Sequence, residues 1–150
     1  MSNKLKKIGV LTSGGDAPGM NAAVRAVVRS AVYNNIDCFG IYKGFEGLII
    51  DDFVKLNARG VNNIVNKGGT ILKSARSLEF RTKEGRKKAK TNLDKYEIDS
   101  LVVIGGNGSL TGAMLLEEEH GIKTIGIPGT IDNDLVCLLY TSDAADEGLG

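Results

Sequence analysis

At 150 residues the chain is long enough for one domain with a proper core, since a domain of that size buries roughly 68–70% of the surface its unfolded chain exposes. Hydrophobic residues make up 42% and charged residues 25%, and the formal net charge is +1. That balance gives no electrostatic case for nucleic acid or an anionic membrane, so any cationic site must be local.

Cys38 and Cys137 fit neither a zinc nor a thioredoxin spacing, which predicts a reduced, cytoplasmic chain. The start is basic, and the apolar run after it, Ile8–Leu11, is too short for a signal peptide or a membrane span.

The first predicted unit is a strand at Ile8–Leu11, a glycine-rich loop at Thr12–Gly19 and a helix at Asn21–Tyr33. Ala22, Ala23, Ala26, Val27 and Ala31 would form the helix's apolar face. A second strand, Cys38–Tyr42, leads into an irregular stretch that runs to Val65. Between Arg81 and Tyr96 lies a lysine-rich run with Ala89 and Leu93 at i,i+4 spacing, predicted to be a solvated helix face. Leu101–Ile104 is the strongest strand, followed by the loop Gly105–Ser109 and a helix near Leu110–His120. Thr124–Ile127 reads as a further, buried parallel strand. Strands separated by helices of this length imply right-handed crossovers and a doubly wound, mostly parallel α/β sheet of three layers.

Three loops could carry chemistry. Ser13–Gly19 and Gly105–Ser109 each follow a strand and open a helix. Glycines there let backbone N–H groups approach an anion where the helix dipole favours it. A plain turn remains the alternative for each, with Asp16 and Pro18, or Ser109, serving as helix-start residues. The third loop, Pro128–Asp134, holds Thr130, Asp132 and Asp134. A carboxylate there could take the proton of an attacking hydroxyl, and an Asx turn is the bland alternative. Arg76 and Arg81 could stabilise charge on a transferring phosphoryl group. Arg25 and Arg29, one helical turn apart, mildly repel unless an anion joins them. His120 before Gly121 suits a helix C-terminus better than catalysis.

Taken together and in this order, the segments IGVLTSGGDAPGMNAAVR, KGGTILKSARSLEFR, LVVIGGNGSLTGA and IPGTIDND closely resemble the bacterial ATP-dependent 6-phosphofructokinases over about residues 4–135. The resemblance implies the N-terminal, ATP-binding lobe of a two-lobe kinase that phosphorylates fructose 6-phosphate with ATP and magnesium in glycolysis. It implies nucleotide contacts from Gly15, Phe45, Arg76, Ser77, Arg81 and Gly106–Ser109. Sugar-phosphate contacts would come from Thr130, Ile131 and Asp132, with Asp132 as general base and Arg76 and Thr130 assisting. Arg25 and Arg29 match effector arginines that accept ADP or phosphoenolpyruvate in a homotetramer, although a further effector arginine aligns with Ala58.

Gly108 and Gly129 match the ATP-using rather than the pyrophosphate-using pattern. Asn107 departs from it, standing where an aspartate usually helps hold magnesium. Residues 136–150 do not continue the resemblance, so the expected organisation is an incomplete domain over 1–135 and a non-matching tail that a frameshift, a gene-prediction error or joined foreign sequence would explain. Two further readings stay open on the residues alone: a non-catalytic nucleotide-binding fragment, and a kinase of the NAD or lipid kinase type.

Overall fold

The computed structural model describes residues 7–15 and 17–129. Its five strands are β1 (Lys7–Thr12), β2 (Asp37–Ile41), β3 (Phe53–Leu56), β4 (Ser100–Gly105) and β5 (Lys123–Pro128). They form one sheet in the order β3-β2-β1-β4-β5. The β1/β2, β1/β4 and β4/β5 pairs are parallel and β2/β3 is antiparallel. The helices are α1 (Met20–Tyr33), α2 (Phe45–Ile50), α3 (Lys83–Lys95) and α4 (Asn107–His120).

Side chains alternate across the pleat, so the β-branched and aliphatic runs of β1 and β4 feed two cores at once. On one face Leu11, Ile41, Leu101 and Val103 pack with Leu48, Ala89, Leu93, Ala113 and Leu116 of α2, α3 and α4. On the other, Val10, Cys38, Val102 and Ile104 pack with Val24, Val28 and Ala31 of α1. This is the expected three-layer, mostly parallel architecture.

Several local expectations are corrected. The core face of α1 is Met20, Asn21, Val24, Val28 and Ala31, so the predicted alanine face is rotated: Ala22 and Ala26 lie in solvent. Small residues can sit on either side of a helix at little cost, which makes alanine a weak marker of the buried stripe. The stretch after Tyr42 is ordered as α2 and the antiparallel edge strand β3.

Beyond β4, the helix starts earlier than predicted, at Asn107 with Gly106 as N-cap, so Ser109 lies inside it. At its far end Gly121, with φ 71°, donates its N–H to the Glu117 carbonyl, the left-handed cap that glycine adopts without strain. Among the described residues β5 is the edge strand of the sheet rather than a buried one. α4 covers one side of it, where a Cβ on Gly126 would meet Leu110 at 2.5 Å. On the other side Ile125 is 57% exposed, while Ile127 is partly buried against the core that holds α1.

Candidate functional site

β1 feeds leftward to β2 and β4 feeds rightward to β5, so the strand order reverses between β1 and β4. Crevices beyond the carboxyl ends of strands at such a reversal are where open α/β sheets hold ligands. A cavity of about 790 Å³ lies there, lined by Ser13–Gly15 after β1 and by Gly108 and Ser109 at the start of α4. Its third wall is the segment Ser74–Ser77 with Phe80 and Arg81.

The three walls are tied together by hydrogen bonds. The Ser13 N–H reaches the Ile104 carbonyl at 2.9 Å, and the Ser74 hydroxyl donates to the Gly14 carbonyl at 2.7 Å. Thr12 Oγ1 donates to the Lys73 carbonyl at 3.0 Å, while the Asn21 amide grips the Gly69 carbonyl and accepts from the Ile71 N–H. A Cβ on Gly105 would lie 2.6 Å from the Ser13 carbonyl and 2.8 Å from Ser109 Oγ. Glycine at 105 is therefore required by the close approach of the two loops. Gly15, Gly106 and Gly108 differ, because a Cβ on any of them would meet nothing within 4 Å. Packing among the described residues gives no reason for glycine at these three positions.

One end of the cavity is aromatic. The Phe45 and Phe80 rings stack with centroids 4.1 Å apart, and a Cβ on Gly112 would press on them at 3.1–3.3 Å. The Ser77 hydroxyl accepts from the Phe80 N–H at 3.2 Å. The other end presents glycine backbone, serine hydroxyls, the dipole of α4 and Arg76. Arg76 and Arg81 form no ion pair among the described residues. Such a cavity can take a ligand with a flat apolar portion and a polyanionic one.

The structure brings together Gly15, Phe45, Arg76, Ser77, Arg81, Gly108 and Ser109 around this cavity, with Gly106 and the exposed Asn107 directly before Gly108. Thr130, Ile131 and Asp132 lie outside the described residues. The last described residue before them, Gly129, donates its N–H to the Gly105 carbonyl at 2.9 Å. Arg25 and Arg29 sit on α1 and do not line the cavity.

Magnesium finds little in this wall. Asn107 carries a neutral amide, a weak donor for a hard cation. Among the described residues no three Asp, Glu, His or Cys side chains assemble into a metal site. The described residues alone do not fit that ion.

Residues missed from the sequence include Gly112, Phe80, Arg86 and Glu119. Arg86 is 5% exposed and shares the buried stripe of α3 with Ala89 and Leu93; the i, i+3, i+7 spacing is the signal that could have found it. Its Nε and Nη2 donate to Glu119 at 2.5 and 2.8 Å, and its Nη1 donates to the Phe80 carbonyl at 3.0 Å. Those hydrogen bonds hold the Glu119 carboxyl below the usual carboxylate range and push the Arg86 guanidinium above its own.

Residues 7–142 match the family model described as Phosphofructokinase. The chain belongs to the phosphofructokinase family. It is 58% identical over 137 residues to the ATP-dependent 6-phosphofructokinase of Thermoanaerobacter sp. (strain X514), covering 91% of this chain and 43% of that protein. It is 60% identical over 131 residues to the enzyme of the same name from Thermotoga neapolitana, covering 87% of this chain and 41% of that one. Among solved structures, Saccharomyces cerevisiae phosphofructokinase superposes with a TM-score of 0.82 at 43% identity, over 86% of this chain and 20% of its own. The chain thus spans about two fifths of the length of the curated phosphofructokinases it matches.

Proposed function

We propose that this chain forms the nucleotide-binding part of an ATP-dependent 6-phosphofructokinase, transferring the terminal phosphoryl group of ATP to the 1-hydroxyl of fructose 6-phosphate. The observation that carries this reading is the cavity at the sheet's switch point, where an aromatic end adjoins a polar end of unobstructed glycines, a helix N-terminus and Arg76. Adenine suits the Phe45 and Phe80 end. The polyphosphate suits Gly15, Gly106–Ser109 and Arg76, with Arg81 at the rim and Ser77 bracing the wall.

Transfer needs a base within reach of the sugar hydroxyl. Asp132 is assigned that role, Thr130 and Ile131 the sugar phosphate, and Arg76 the charge that develops on the phosphoryl group. Support for this is the Gly129 N–H donating to the Gly105 carbonyl, which ends the described backbone beside the residue three before the cavity-lining Gly108. Magnesium is expected with the nucleotide, and no step is assigned to it. Arg25 and Arg29 are assigned to an anionic effector such as ADP or phosphoenolpyruvate, in a cytoplasmic homotetramer. Residues 1–135 are taken as the domain and 136–150 as a tail outside it.

Calorimetric titration of the chain with ATP tests the nucleotide site. Turnover of fructose 6-phosphate by a chain extended to the length of its relatives tests the chemistry. In that longer protein Asp132→Asn should lose at least about a hundredfold in kcat, the lower range for a positioned general base; wild-type turnover would remove Asp132 from the role. A second reading, a nucleotide-binding unit that does no chemistry by itself, is favoured by the two-fifths coverage. ATP binding without transfer by the 150-residue chain is its expected result.

A further inference from the structure

Arg86 belongs to the cavity wall, yet it does not present a free cation there. Three of its five N–H groups are committed, two to Glu119 and one to the Phe80 carbonyl. Glu119 is the penultimate residue of α4, ten residues from Ser109 and so roughly 15 Å along the helix from the cavity's polar end. The bidentate fork fixes the plane of the guanidinium, which a single contact would leave free to rotate. Held in that plane, Nη1 meets the carbonyl of the residue whose ring forms half of the aromatic stack.

The surrounding corner is rigid. Thr82 Oγ1 accepts from the Gly85 N–H and donates to the Glu79 carbonyl. A Cβ on Gly85 would lie 1.9 Å from that same carbonyl. The short helical turn Glu79–Arg81, which carries both Phe80 and Arg81, is therefore set against α3 on one side and, through Arg86, against the far end of α4 on the other.

We propose that Glu119 is a positioning residue for the aromatic end of the cavity, acting through Arg86 on the Phe80 backbone. This rests on the reading of the cavity as a nucleotide site. It predicts a split between two parts of one ligand. Loss of the Glu119 carboxylate should loosen the Phe45/Phe80 end, which takes a base, and leave the glycine and Arg76 end, which takes phosphates, in place.

The test titrates the 150-residue chain, as wild type and as Glu119→Gln, with ATP and separately with inorganic triphosphate, after thermal melts establish that each protein unfolds cooperatively. The variant should lose at least tenfold in affinity for ATP while its affinity for triphosphate stays within about twofold. Arg86→Lys, which keeps the charge but loses the fork, should give the same split, and the double variant should be no worse than either single one. Arg86→Lys carries the comparison if Glu119→Gln does not melt cooperatively. Unchanged ATP affinity, or an equal loss for both ligands, overturns the assignment of Glu119 alone. Failure of the wild-type chain to bind ATP overturns the nucleotide reading beneath it.

Discussion

Gly108 is the position at which stability and binding should move in opposite directions. It is the second residue of α4, where glycine is a poor choice: relative to alanine it costs about 0.5–1 kcal/mol in a helix. A Cβ built there meets nothing within 4 Å, so no crowding offsets the gain. Gly108→Ala should therefore stabilise the fold by about 0.5–1 kcal/mol, which in a domain of this size raises Tm by about 1–4 °C. The space the methyl enters is the cavity itself, and a group set between the helix N–H dipoles and a phosphate should weaken ATP at least about tenfold, or 1.4 kcal/mol.

Gly105→Ala is the contrasting case. Its Cβ would stand 2.6 Å from the Ser13 carbonyl, a backbone atom that cannot swing aside. Overpacking of that kind costs about 1–3 kcal/mol, so Tm should fall by about 2–12 °C. Circular dichroism melts and ATP calorimetry on the two variants provide the assay. A stabilised Gly108→Ala protein that binds ATP as well as wild type would refute the claim that the ligand, not packing, accounts for that glycine.

Three further outcomes are expected. Burial pushes the Cys38 thiol up to about 12, so in a Cys137→Ser background Cys38 should resist thiol reagents at pH 8 and react only at the rate of unfolding; rapid labelling in native buffer would contradict its burial. The Glu119 carboxyl is lowered first by its hydrogen bonds from Arg86, so its contribution is present above the unfolded glutamate value of about 4.3 and is lost as pH falls through the folded one. Wild type should accordingly lose more Tm on acidification below about pH 4.3 than Glu119→Gln does, and parallel curves would discount the pair. Leu93 is fully buried in the lysine-rich run, so Leu93→Ala should cost about 2–5 kcal/mol while Lys87→Ala leaves the melt unmoved; equal effects would mean that α3 does not dock.

What could be read from the chain depended on how local the cause was. The strands β1 and β4 announced themselves because both of their faces are buried, which leaves an uninterrupted apolar run. α3 was legible as a helix, with Ala89 and Leu93 at i,i+4 spacing, but read as solvated, since its buried residues, Gly85, Arg86, Ala89 and Leu93, are spread over about two turns among lysines and one of them is itself cationic. β5 shows the opposite failure. Its composition matches a buried strand, but burial depends on what lies beside it, and Ile125 faces solvent among the described residues. α2 and β3 gave no periodic signal because a six-residue helix and a four-residue edge strand are too short to display one.

The same distinction separates the two kinds of glycine in the site. In sequence, Gly105, Gly106 and Gly108 form one motif, and their number suggested that something approaches the backbone. Only the structure divides them: at Gly105 the approaching atom belongs to the Ser13 loop, whereas at Gly106 and Gly108 there is no protein atom to account for the missing side chain. A loop built purely as a turn would need the first glycine and could carry side chains at the other two. That the open positions line or adjoin the cavity that Arg76 and Gly15 also line is what favours the proposed anion cradle over a plain tight turn. The aromatic end has no counterpart in that motif: its orientation comes from Glu119, eleven residues beyond Gly108, through one arginine and one backbone carbonyl.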